Sequence, residues 1–84
     1  MTRKLATRKT TKAEAAAHLK KAEQFHRSMV EAVSNEDWDA VGLNAIHCMI
    51  SANDALLGFR HGVRPAGKGH SEAAELLAQL EKGE

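Results

Sequence analysis

Apolar and polar positions along the 84-residue chain follow the period of a helix in three successive segments. Ala15, Leu19, Ala22, Phe25, Met29 and Val33 recur at steps of three and four, which places them on one face of a helix from Lys12 to Val33. Thr11-Lys12-Ala13-Glu14 opens this segment with a hydroxyl and, three residues on, a carboxylate, the spacing of a capping box. "SNED" then supplies a second start. Ser34 or Asn35 can cap it, and Glu36, Asp37 and Asp39 bring negative charge to the positive end of the helix dipole. From Trp38 to His61 no proline interrupts, and only Gly42 and Gly58 weaken the helix. The short link between these two segments implies an antiparallel hairpin. A third helix is expected from near Ser71, with Glu72 and Glu75 in its first turn and an apolar stripe of Ala73, Leu76, Leu77 and Leu80. Lys82 and Gly83 fit its end, and residues 62–69 are expected as a loop. No stretch reads as a strand, a repeat or a long heptad run. The pattern predicts an all-α fold: a small antiparallel helical bundle of two long helices and a shorter third.

The middle helix divides unevenly. Trp38, Val41, Ala45, Ile46, Met49, Ala52, Leu56, Leu57 and Phe59 spread over more than half of its circumference. So wide an apolar arc needs cover on several sides, partly from the other helices and partly from outside the chain. What is left is a narrow stripe of Asn44, His47, Ser51, Asp54, Gly58 and His61. It reads either as the solvent face of the helix or as one wall of a binding groove; the absence of Lys and Glu favours the groove. Asn53 lies near the centre of the apolar arc, where an amide needs a partner on another helix or sets the register of a dimer.

Composition sharpens the need for a partner. Phe25, Trp38 and Phe59 are the only aromatic residues, and a chain this short buries a modest share of its surface. Completion of the core by dimerisation, or by a helical protein partner, is therefore expected. The net charge of +1 hides an asymmetry. Residues 1–12 carry Arg3, Lys4, Arg8, Lys9 and Lys12 with no acid, against seven basic and eleven acidic residues in the remainder. Residues 1–11 read as a basic flexible tail, with phosphate contact as the alternative, and 12–84 as a single helical domain. Cys48, the only cysteine, sits in the apolar run "AIHCMISA" as a reduced core thiol; a nucleophile or a metal ligand is the alternative. No apolar run approaches the ~18–20 residues of a membrane span, so a soluble, cytoplasmic protein without membrane contact is expected.

The stretch "WDAVGLNAIHCMISANDALLGFRHGVRPAGKGHSEAAELL" resembles the HEPN superfamily of small helical bundles. A Trp opens the helix, "NAIHCMISANDALL" follows with small, apolar and polar residues, and a Gly-rich turn leads to His-Ser before Leu-Leu. The leader "ATRKTTKAEAAAHLKKAEQF" is similar to the first helix of short bacterial HEPN proteins. The resemblance implies two functions. One is a non-catalytic helical interaction module associated with nucleotide- or RNA-related or toxin–antitoxin partners. The other is a metal-independent endoribonuclease with an Arg-(four to six residues)-His motif at a dimer groove, a spacing that Arg64 and His70 satisfy. There His70 would be the acid–base group, and Arg64 would hold developing phosphate charge through its fork of donors. Pro65 after the arginine, and the presence of three helices where nuclease motifs commonly lie near the last helix of four or five, favour the module. Whether the chain is an enzyme stays open.

Other chemistry is less legible. His18 and His26 are eight apart and His47 and His61 fourteen, too dispersed for a zinc site, so neither metal nor cofactor is expected. Gly67-Lys68-Gly69 can wrap an anion at a helix start but lacks P-loop spacing and a preceding strand. Lys68 therefore joins Asn44, His47, Ser51, Asp54 and His61 as a groove or binding candidate.

Overall fold

The computed structural model describes residues 6–66 and 72–82. In chain order these form β1 (Thr7–Lys9), α1 (Lys12–Ser34), α2 (Trp38–His61), β2 (Val63–Pro65) and α3 (Glu72–Glu81). The two long helices form an antiparallel hairpin, and α3 packs on the C-terminal part of α2 through Leu57 and Leu76.

The ends of the hairpin follow from local chemistry. Thr11 Oγ1 accepts the Glu14 N–H at 3.1 Å, and Glu14 Oε1 accepts the Thr11 N–H at 3.1 Å, so both halves of the capping box are made. These bonds from Thr11, backbone first, hold the Glu14 carboxyl below the usual range for a glutamate. α1 stops in a Schellman arrangement: the Glu36 N–H donates to Val33 O at 3.0 Å and the Asp37 N–H to Ala32 O at 2.9 Å. Glu36 takes the left-handed conformation (φ 57°) that such a stop requires. Ser34 and Asn35, expected to cap the second helix, therefore close the first. Asp37 is the N-cap of α2 and makes no side-chain capping bond.

α2 ends at Gly62, whose φ of 66° suits glycine and whose N–H donates to Gly58 O at 3.1 Å. From there the chain turns back as β2 and pairs antiparallel with β1, with Arg8 opposite Arg64 and Lys9 opposite Val63. The Thr10 N–H to Gly62 O and Ala66 N–H to Ala6 O bonds, both 3.0 Å, extend this ribbon. Among the described residues the chain is a bundle of three helices, as the sequence pattern predicts, with one short two-stranded ribbon that no stretch of the sequence announced. Thr7–Lys9 form its first strand and Thr11 caps α1. Three-residue strands are too short for alternation to show in a sequence, and Pro65 fits an edge strand, where its missing N–H costs little.

The core is built mostly of small residues. Ala15, Ala22 and Ala32 on α1 and Ser51, Ala55 and Gly58 on α2 are buried. The helices meet so closely that a Cβ on Gly58 would lie 2.6 Å from Ala15 Cβ and 3.2 Å from Thr10 Cγ2. Near the middle of the hairpin the Phe25 ring stacks on His47, centroids 5.1 Å apart. Larger side chains gather at one end, where Leu57 (0 % exposed) and Leu76 (3 %) pack with Val63, Leu77 and Leu80. Leu19 and Val33, expected on the buried stripe of α1, are exposed, and Ala32, next to Val33 in sequence, is buried.

Candidate functional site

The polar stripe of α2 faces α1. Ser51 and Gly58 are buried, and Asn44, His47, Asp54 and His61 are half-buried. It is not the solvent face of the helix, and at one end Asn44 also lines an open hollow of about 260 Å³ with Ser28, Glu31 and Asn35. Small side chains let two helix backbones approach, so the residues that look polar by type form the seam of the hairpin. Asn44 Nδ2 donates to the Ala40 carbonyl at 2.9 Å, one turn back in its own helix, and His47 is occupied by the Phe25 ring. His61 Nε2 sits 3.7 Å from Glu81 Oε1 on α3, where Arg60 makes a 2.9 Å ion pair with the same oxygen.

Large apolar side chains are exposed on the rest of α2, with Trp38, Ile46, Met49 and Leu56 away from the stripe, Phe59 to one side and Leu43 at the stripe's own edge. Trp38, Leu43, Ile46, Met49, Leu56 and Phe59 are each between 40 and 63 % exposed. At ~100° per residue, Ile46, Met49, Asn53 and Leu56 share the centre of the face away from the stripe, with Trp38 at its start and Arg60 at its end. Single exposed apolar residues are ordinary, whereas a contiguous run over a whole helix marks an interaction surface. The sequence signal for it was the excess width of the apolar arc.

A second feature is the β-ribbon. Directly opposed residues of an antiparallel pair project from the same face, so Arg8 and Arg64 stand side by side, a like-charged pairing that is unfavourable by itself. Both guanidinium groups help depress the pKa of Glu14, after its bonds to Thr11. Arg64 is half-buried, and its Nε is enclosed without a hydrogen-bond partner. His70 and Lys68 lie outside the described residues, so their relation to Arg64 and to the α2 stripe is not part of this geometry.

The remaining hollows are open surface features. One, of about 380 Å³, is lined by Ala22, Glu23, His26, Arg27 and Cys48, and the half-buried thiol there has no second sulfur to pair with. Among the described residues no three His, Cys, Asp or Glu side chains gather as a metal site, and no helix is long and apolar enough to cross a membrane. In comparisons with known proteins, no family model, curated protein or solved structure matches this chain.

Proposed function

We infer that this chain is a HEPN-like helical interaction module, non-catalytic, that engages a helical partner in the cytoplasm. The observation that carries the reading is the outer face of α2, an apolar surface exposed along a helix whose other face is already committed to α1. On the HEPN resemblance, the systems it would serve are nucleotide- or RNA-related assemblies or toxin–antitoxin pairs. Three positions of the α2 stripe support this reading, since Asn44, His47 and Gly58 are already engaged within the hairpin.

The second reading, a metal-independent endoribonuclease using Arg64 and His70, is favoured by one feature. The Arg8–Arg64 pair concentrates positive charge that a phosphate of RNA would offset. One experiment separates the two. Purified chain is incubated with single-stranded RNA in the presence of EDTA, alongside the Arg64→Ala and His70→Ala variants. The module reading expects intact RNA throughout. Cleavage by the parent chain that both substitutions abolish would replace it with the nuclease.

A further inference from the structure

We propose that the free edge of β1 takes up a third strand, an extended acidic segment of another protein. This surface is separate from the outer face of α2 and works through backbone groups in place of apolar side chains.

The phase of the ribbon's hydrogen bonds fixes which backbone groups are spare. The Thr10 N–H to Gly62 O and Ala66 N–H to Ala6 O bonds mark residues 10 with 62 and 6 with 66 as hydrogen-bonded pairs. Such pairs alternate along an antiparallel ladder, so Arg8 and Arg64, midway between them, exchange both of their bonds. Thr7 and Lys9 hold the non-bonded positions, and their N–H and C=O groups point away from β2. Pro65, opposite Thr7, agrees with this phase, because a position that donates nothing to the ladder can lack its N–H.

The two edges of the ribbon differ. β2 packs on α2 and α3, and on its outer side Pro65 has no N–H to offer. Among the described elements β1 touches β2 alone, and Thr7, Arg8 and Lys9 are all exposed. The outward N–H and C=O groups of Thr7 and Lys9 are therefore open to a further strand, the mode by which extended peptides add to a sheet.

Charge selects the occupant. Residues 6–14 and 63–65 carry Arg8, Lys9, Lys12 and Arg64 against Glu14 alone, and Glu14 is held in the capping box by Thr11. The edge of a second copy would set Arg8 and Lys9 beside the same residues, which repels. The chain's own segments 1–5 and 67–71 contain no acid either. An acidic strand meets the reverse case. Its residue facing Arg8 would stand in one row with Arg8 and Arg64, where a carboxylate is favoured. Its residues facing Thr7 and Lys9 would lie on the other side, in rows with Pro65 and Val63, where β-branched apolar residues fit. The segment thus alternates acidic with β-branched residues. A phosphate could pair with the two guanidinium groups, but as an acceptor it could not use the outward carbonyls, whereas a peptide brings donors and acceptors alike.

The test is titration of the isotopically labelled chain with a short end-blocked peptide of alternating Glu and Val, read by amide exchange and by NMR shifts. In the free chain the Thr7 and Lys9 amides should exchange quickly while the Arg8 amide is protected. Bound peptide should protect Thr7 and Lys9. Alternate N–H groups of a strand face the same neighbour, so methylating one alternate set of the peptide's backbone nitrogens should abolish binding and methylating the other should leave it unchanged. Thr7→Pro removes one outward N–H without touching charge or any bond of the ribbon, and should weaken the peptide about tenfold. Arg8→Glu should weaken it by about as much and favour a Lys–Val peptide instead; helical circular dichroism checks that both variants fold. No binding of the acidic peptide up to about 1 mM, equal loss from both methylated sets, or equal binding of the Lys–Val peptide by the parent chain would each overturn the proposal. So would single-stranded RNA that shifts Arg8 and Arg64 where the peptide leaves the Thr7 and Lys9 amides unprotected. Failure here leaves the reading of the outer α2 face untouched, since the two surfaces share no residue.

Discussion

The two faces of α2 use opposite materials. The face against α1 is made of Ser51, Ala55, Gly58 and half-buried polar groups, and the face turned outward carries Trp38, Ile46, Met49 and Leu56. An isolated globular chain is expected to place its bulk inside, because about 25 cal/mol is gained per Å² of apolar surface withdrawn from water. Here closeness of backbone approach decides the inner face, and bulk is left for something else to cover. The contrast teaches that residue type alone does not say which side of a helix is inside; the size of the gap between helices does.

Substitutions can break or sharpen this contrast. The largest effect belongs to the fully buried bulky side chain of the core. Leu57→Ala should destabilise the chain by about 3 kcal/mol in urea unfolding, since the fully buried side chain leaves a cavity between α2, β2 and α3. Gly58→Ala comes next. The added methyl meets Ala15 Cβ, which is not a flexible end, so overpacking of about 1–3 kcal/mol should outweigh the ~1 kcal/mol that alanine gains in helix propensity. A neutral or stabilising result would show that the hairpin is looser than its geometry. Thr11→Ala should cost about 1 kcal/mol by removing the N-terminal cap of α1.

The capping box also carries a pH dependence. Glu14 has its pKa lowered in the folded chain, chiefly by its bonds to Thr11, so its contribution exists above the ordinary glutamate value. It is lost as pH falls through the lower folded value, where the carboxylate takes up a proton. Stability curves of the parent chain and Glu14→Gln should differ near neutrality and converge in acid. A constant offset down to the most acidic point would remove Glu14 as the source.

Much of this was legible in the sequence. The capping box, the bounds Trp38 and His61 of the second helix and the Leu-rich third helix are set by short-range rules that a chain states openly. The ribbon was not legible. Thr7–Lys9 and Val63–Pro65 are each three residues long, and their pairing depends on a helical hairpin bringing positions more than fifty apart together. The inner stripe was legible as a pattern but not in its meaning. Asn44, His47 and Ser51 look like a groove by type, and only the closeness of α1 at Gly58, where an added Cβ would lie 2.6 Å from Ala15 Cβ, shows why small residues were needed there. Arg64 lies on the ribbon, where the spacing to His70 could not show that Arg8 would stand beside it.

The smallest folding effect, and the most direct test, falls on the outer face. Met49→Glu at an exposed site should change stability of the separated chain by no more than about 0.5 kcal/mol. Trp38, the only tryptophan, lies at the start of the same face and reports on its cover. Its fluorescence emission is to be followed over a dilution series for the parent chain and for Met49→Glu. The account predicts that at the highest dilution both chains emit at the red, water-exposed end with their helical circular dichroism intact. A maximum that stays blue in the most dilute parent chain would contradict it, since the face would then be covered within one chain.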